Sequence, residues 1–398
     1  MMTDNISFGD RRLVGQQDSK TRIERILASG RLSHAYLFTG PKGSGKTAFA
    51  LALAEVINGI DHYTDLKGEA FSKKSSWFTH PDIHTFIPMP SSADSDDLKE
   101  RLTLLQNDPY EIVDFTLRPA LSDPDSSKNL QAFYPIEYFH ETIRPVTVYK
   151  PNEGRKTVVI ITEIHTMRKE AANAFLKLLE EPSENVVILL TSSKPDQLLP
   201  TIISRCQQIR LQPLLEEEVA QGLMKHDGLD RSDAQYLARV SDGSYALARF
   251  FDVDDLKRSR QELVEYLRYS YTQDAVKLVS LIEGWNRNLN RESQIALCNT
   301  MEQFLRDIMI YRESENPDLI TNVDQLDVIK KFCQTMAHAK IETMILHLQH
   351  LKETLFQNIQ TKLVFTVLSM RFASLMRGED PYISSEETWR HLPAYTEI

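Results

Sequence analysis

The sequence predicts an α/β N-terminal domain, a parallel sheet with flanking helices, followed by an all-α C-terminal part. Three observations carry this. Short β-branched runs (Tyr36-Leu37-Phe38-Thr39, Thr157-Val158-Val159-Ile160-Ile161 and Val186-Val187-Ile188-Leu189-Leu190-Thr191) alternate with helical patterns, as strands buried on both faces of a parallel sheet do. Fourteen of the 17 prolines fall in the first 213 residues, leaving three to interrupt helices in the remaining 185. In Met301–Arg312 the apolar positions 301, 304, 305, 308 and 309 form a helical stripe.

In chain order, the strand at 36–39 runs into a glycine-rich turn and then a helix at 47–58, with Phe49, Leu53, Val56 and Ile57 on one stripe. Residues 60–150 hold eight prolines and an acidic, serine-rich stretch at 91–97, and read as an irregular elaboration with a charged helix near Asp97–Gln106. A helix from Lys169 to Glu181 is stopped by Pro182. From Leu214 to Phe251 three short helices are expected, with turns at Asp227-Gly228 and Asp242-Gly243. Longer helices follow from Asp254. Ile341–Phe372 reads as one long or two abutting helices, with Leu348, Leu351, Leu355, Ile359, Leu363 and Val367 roughly in phase. No period of 20 to 50 residues repeats, which excludes a solenoid.

Length and composition bound the function. At about 150 residues per domain, 398 residues make two or three domains. Hydrophobic residues at 41% and charged residues at 26% are an ordinary globular balance, excluding disorder over most of the chain. Lys plus Arg number 46 against 56 Asp plus Glu, a net charge of −10. That argues against coating nucleic acid by bulk charge and leaves room for a local basic strip. No apolar run is long enough to span a bilayer, and Met1–Asn5 lacks a basic-then-apolar signal pattern; a cytoplasmic location without membrane contact is expected. Three scattered cysteines, Cys206, Cys298 and Cys333, are too few for a disulfide framework or a four-cysteine zinc site. Cys206 reads as a packed residue rather than a nucleophile.

The chemistry concentrates at Gly40-Pro41-Lys42-Gly43-Ser44-Gly45-Lys46-Thr47, which fills every position of the Walker A pattern between a strand and a helix. Glycines let the backbone N–H groups turn toward phosphate oxygens, reinforced by the helix N-terminus. Lys46 reaches the β- and γ-phosphates in such a loop, and Thr47 ligates Mg²⁺ carried by ATP or ADP. A glycine-rich strand-to-helix turn can also serve packing alone. The strand at 157–161 leads into Thr162-Glu163-Ile164-His165. A metal-organising aspartate followed by a water-polarising glutamate is needed there; Glu163 supplies the second, but Thr162 stands where the first belongs. A neutral hydroxyl does not replace a carboxylate at a divalent cation, which argues against hydrolysis by this chain. In Leu198-Leu199-Pro200-Thr201-Ile202-Ile203-Ser204-Arg205-Cys206, an arginine follows a short helix. Such a residue is a solvated surface group or a finger offered to a neighbour's phosphates.

These elements, in this order, resemble the clamp-loader branch of the AAA+ ATPases, and within it the delta-prime type of subunit of the bacterial DNA polymerase III clamp loader. The likeness rests on Val14-Gly15-Gln16, on Ser33–Phe38 leading into the phosphate loop, on Ala171–Pro182 ending in Glu-Glu-Pro, and on Leu198–Cys206. It is strong over 8–58 and 155–211 and weaker beyond, where Asn358–Leu368 is similar to the family's last domain. The resemblance implies an AAA+ P-loop domain at 1–211, a helical lid at 212–252 and a helical collar for oligomerisation at 253–398. It also implies that Arg205 enters the ATP site of an adjacent gamma/tau subunit, that Val14, Gly15 and Gln16 lie near the nucleotide base, and that Thr191 and Ser192 stand at the first sensor position. The second sensor arginine is replaced by alanine in Gly243-Ser244-Tyr245-Ala246. The family's zinc module has no cysteines between 60 and 150 to build it, so no zinc is expected. The implied role is an accessory subunit of a DNA polymerase holoenzyme in a hetero-oligomer with gamma/tau and delta subunits, reaching the sliding clamp and primer–template DNA through the complex. Two alternatives stay open at this level: a gamma/tau-like subunit that hydrolyses ATP itself, and a P-loop nucleotide switch outside replication.

Overall fold

A computed structural model describes residues 7–8, 11–60, 72–74, 76–115, 118, 120–121, 131–251, 253–289, 291–320, 322, 325–355 and 360–379. The chain divides into two compact units, 1–251 and 252–398.

The first unit opens with two-residue antiparallel strands β1 (Ser7–Phe8) and β2 (Arg11–Arg12). Its centre is a parallel sheet of β3 (Ala35–Thr39), β4 (Ile83–Phe86), β5 (Thr157–Ile161), β6 (Val186–Ser192) and β7 (Gln207–Arg210), in the order β4-β5-β6-β3-β7. Every residue of β3, β5 and β6 is buried, as the continuous apolar runs require. β3 pairs Phe38 with Thr191 and Thr39 with Ser192, while β5 pairs Ile161 with Leu190. The carboxyl ends of the three strands therefore converge on one edge, where open α/β sheets place their ligands.

Besides β1 and β2, two strands of the central sheet escape the sequence reading. β4 lies inside the proline-rich stretch, and in β7 only Ile209 is buried, so neither shows a continuous apolar run. The helix Lys46–Ile57 is also more deeply packed than a one-sided stripe: Ala48 to Glu55 are all buried. The elaboration explains this. The short helical turn Trp77–Thr79 packs on that helix, and the Trp77 N–H donates to Glu55 Oε1 at 2.8 Å. The charged helix runs Ser95–Asn107, capped by Asp94, whose Oδ1 accepts the Asp96 and Asp97 N–H groups at 2.9 Å each. Lys169–Glu180 forms as expected, and three helices follow at Glu216–His226, Arg231–Val240 and Tyr245–Phe250.

The second unit is helical: Val253–Thr272, Ala275–Asn288, Arg291–Ser314, Leu326–Thr335, Ile341–Leu355 and Thr361–Met376. Tyr266, Trp285, Phe304, Phe365 and Phe372 fill its core, and the Tyr266 hydroxyl donates to the Phe365 carbonyl at 2.7 Å. Of the segment read as one long or two abutting helices, Ile341–Leu355 and Thr361–Met376 are helical with Gln360 outside both, and the second helix buries Phe365, Leu368 and Phe372 while Leu363 and Val367 are exposed. The stripe drawn through 363 and 367 is therefore corrected: the buried face of the second helix runs through 365, 368 and 372; Ile359 lies outside the described residues. Among the described residues no helix is long and apolar enough to cross a membrane.

Candidate functional site

The turn Gly40–Gly45 leaves the carboxyl end of β3 and enters the helix Lys46–Ile57, an arrangement in which backbone N–H groups and the helix dipole face a common point. Gly43 has φ +74°, and a Cβ there would lie 1.6 Å from Ser244 Oγ. Gly45, with φ +91°, has the Tyr110 ring 3.3 Å from its hypothetical Cβ. Glycine at these positions thus serves both left-handed backbone and close approach.

Lys46 is buried; its Nζ donates to the Pro41 carbonyl at 2.7 Å and lies 3.7 Å from Glu163 Oε1. Burial lowers its pKa, with the Glu163 charge opposing that shift. Thr47 lines the same cavity. Glu163 sits just past β5 at φ +45°, a strained conformation for a non-glycine residue. Its N–H donates to Thr191 Oγ1 at 3.0 Å, and its Oε2 accepts from the Ser193 N–H at 2.9 Å and hydroxyl at 2.6 Å. His165 Nδ1 lies 3.3 Å from that same oxygen and 3.3 Å from Ser192 Oγ; burial lowers its pKa, partly offset by Glu163. The Glu163 carboxylate is therefore held toward the end of β6. The Thr162 carbonyl accepts from the buried Tyr134 hydroxyl at 2.8 Å, and no carboxylate stands at that position.

Val14, Gly15 and Gln16 reach this edge from the other side. The Val14 N–H donates to the Tyr110 hydroxyl at 2.8 Å. Gln16 Nε2 donates to the Gln212 carbonyl at 2.5 Å and the Ser44 carbonyl at 3.4 Å, tying the N-terminal segment to the phosphate loop and to the start of the small helices. Ala246, in the Gly243–Ala246 segment, also lines the cavity.

Sequence reasoning missed part of this site. Ile112, Val113 and Asp114 line the cavity beside the loop; Lys42 Nζ lies 3.4 Å from Asp114 Oδ2, and Arg249 pairs with Asp108. Nothing in the composition of the elaboration marks these residues; only the fold brings 108–114 against 40–47.

Arg205 lies outside this cluster, just past the short helix Pro200–Ile203. Its guanidinium is about one-third exposed, donates to the Thr201 carbonyl at 3.0 Å and pairs with Glu180 Oε1 at 2.8 Å. Glu180 closes the helix of the Glu-Glu-Pro segment, so two of the stretches that carried the resemblance meet in one surface ion pair. Cys206 beside it is buried, its thiol pushed up to about 12 by desolvation, which leaves it inert at neutral pH.

Residues 15–215 match the family described as DNA polymerase III, delta subunit, and residues 254–373 match DNA polymerase III, delta subunit, C terminal. DNA polymerase III subunit delta' of Bacillus subtilis is 23% identical over 346 residues, covering 86% of this chain and 92% of that protein. DNA polymerase III subunit tau of Escherichia coli is 31% identical over 244 residues, covering 60% of this chain. The chain spans about a third of the length of such tau relatives, 31% for the Escherichia coli and Salmonella proteins. A solved DNA polymerase III gamma-subunit-related protein of Thermotoga maritima superposes with a TM-score of 0.43 at 15% identity, over 90% of this chain and 99% of that one.

Proposed function

From the premise that this chain belongs to the DNA polymerase III delta-subunit family, we propose that it is the delta-prime-type subunit of a clamp loader. In this reading it supports ATP-dependent loading of the sliding clamp onto primer–template DNA, in a complex with gamma/tau and delta subunits. Its contribution to catalysis is the Arg205 guanidinium, delivered to the triphosphate of an adjacent subunit, and the remainder of the chain is scaffold. The single observation that carries this is the contrast between an accessible, lightly tethered Arg205 and a phosphate loop facing a strand, β5, that is followed by Thr162 rather than an aspartate.

The chemistry follows from charge. A guanidinium fork matches two phosphate oxygens and stays protonated, and charge spreads over those oxygens as the γ-phosphoryl group departs. Breaking the exposed pair with Glu180 costs about 1 kcal/mol or less, so a buried triphosphate outcompetes it. In the chain's own loop, Gly40–Thr47 suit the phosphates of a nucleotide, with Lys46 as the cation and Thr47 as the hydroxyl ligand for an accompanying Mg²⁺; that metal would neutralise phosphate charge. Glu163 stays beside Lys46 while also bonded to Ser193; without a metal-organising carboxylate at 162 it does not complete a hydrolytic site on its own.

Reconstitution with gamma/tau and delta partners tests the reading. Arg205→Ala should leave assembly intact and lower the clamp- and DNA-stimulated ATPase by about 10³-fold or more; unchanged ATPase removes the finger. A second reading, an active gamma/tau-like ATPase, is favoured by the higher identity to tau subunits, and turnover by the purified chain alone would establish it.

A further inference from the structure

The phosphate half of the loop is well formed, but the space beside it is already filled. Residues 108–114 follow the helix Ser95–Asn107 and lie across the site as a strap. Each end is tied down by charge: Asp108 pairs with Arg249 of the helix Tyr245–Phe250, which also reaches Asp227 at 2.8 Å, and Asp114 lies 3.4 Å from Lys42 of the phosphate loop. Between them Tyr110 is buried. Its ring stands against Gly45 and meets the Tyr245 ring edge-on, with centroids 5.0 Å apart and planes at 88°, while its hydroxyl takes the backbone N–H of Val14. A flat aromatic ring, one polar atom on a main-chain amide and an aromatic neighbour at its edge make up a purine-like environment. The cavity left next to Lys42, Gly43, Gly45, Lys46 and Thr47 is about 130 Å³. Pockets that enclose a whole drug-sized ligand start at about 300 Å³; the remaining space suits a compact phosphate anion.

We propose that Tyr110 occupies the place of a nucleoside ring in this phosphate loop, making it a specificity-determining residue: as folded, the site takes a base-free phosphate anion, and a nucleotide enters only when the 108–114 strap is displaced. The proposal rests on reading residues 40–47 as a phosphate-binding loop and adds what that loop discriminates. The base half of a nucleotide then gains nothing in the wild-type chain, because its contacts are already made internally. It competes with a tethered group at high effective concentration, the usual advantage of an intramolecular occupant.

Isothermal titration of the full chain with tripolyphosphate and with ATP, both with and without Mg²⁺, separates the cases. Wild-type protein should bind the two probes with dissociation constants within about threefold of each other, or favour tripolyphosphate. Tyr110→Ala should tighten ATP by about tenfold or more, the equivalent of one hydrogen bond and one ring contact released to the ligand, and leave tripolyphosphate nearly unchanged. A wild-type preference for ATP of tenfold or more overturns the proposal while leaving the phosphate loop standing, as does unchanged ATP affinity in the variant. Absence of binding by either probe to either protein overturns the phosphate-loop reading and the proposal together. Should Tyr110→Ala unfold, hydrogen exchange on the wild-type chain decides. Saturating ATP should raise exchange across 110–114 and tripolyphosphate should not; an equal response to both overturns the proposal.

Discussion

Glu55 offers a quantitative test of how the elaboration packs on the phosphate-loop helix. It lies on the helix Lys46–Ile57, is 1% exposed, and accepts the Trp77 N–H through Oε1, while Oε2 has no hydrogen-bond partner among the described residues. Burial pushes its carboxyl from 4.5 to about 8, with the Trp77 hydrogen bond pulling the other way. With the folded value above the unfolded one, the folded chain keeps a proton that the unfolded chain releases. The stabilisation is complete below pH 4.5 and lost as pH rises to about 8. The slope is about 1.4 kcal/mol per pH unit inside that window, which integrates to about 3 kcal/mol between about pH 5.5 and about pH 8.5. Glu55→Gln removes the titration and keeps an oxygen for Trp77. Its buried amide carries a packing cost, but that cost is the same at both pH values and cancels in the comparison. Urea unfolding followed by tryptophan fluorescence, with Trp77 packed on this helix, should show the variant gaining about 3 kcal/mol relative to wild type from the lower to the higher pH. Histidines with lowered pKa values, His80, His84 and His165, titrate in both proteins and drop out of the difference. A difference between variant and wild type that stays constant with pH would refute the buried, protonated carboxyl.

The strands and the loop were legible because both are local statements. A run such as Val158–Ile161 is apolar at every residue, as a strand covered on both faces requires; the Walker pattern fixes its own strand–turn–helix context. β4 was not legible because His84 and Thr85 interrupt its apolar character, and β7 because an edge strand needs a single buried residue. The elaboration hid most. Its sequence shows Ser, Asp and Pro, the marks of loops, yet Tyr110 is among the most enclosed side chains at the site, and its partners Val14, Gly45 and Tyr245 are separated from it by 96, 65 and 135 positions, so no window of sequence contains the contact. Arg205 was legible as a candidate but its tether to Glu180 was not, although both residues lay in stretches already singled out.

Two further changes test the closeness of these contacts. Gly43→Ala places a methyl group 1.6 Å from Ser244 Oγ at φ +74°; it should destabilise the first unit by about 2 kcal/mol or more and weaken phosphate binding. Ser244→Gly should restore only part of the stability in thermal melts, because the backbone strain remains. Glu180→Gln addresses the finger from its resting side. The pair is exposed, so stability should change by less than about 1 kcal/mol. If Glu180 only parks the guanidinium, removing its charge lowers the cost of turning Arg205 toward a neighbour's triphosphate. The ATPase of the reconstituted complex should then rise by up to about fivefold, the kinetic equivalent of that same energy. A fall comparable to that of Arg205→Ala would instead make Glu180 a positioning residue, one that aims the fork during the reaction rather than holding it between turnovers.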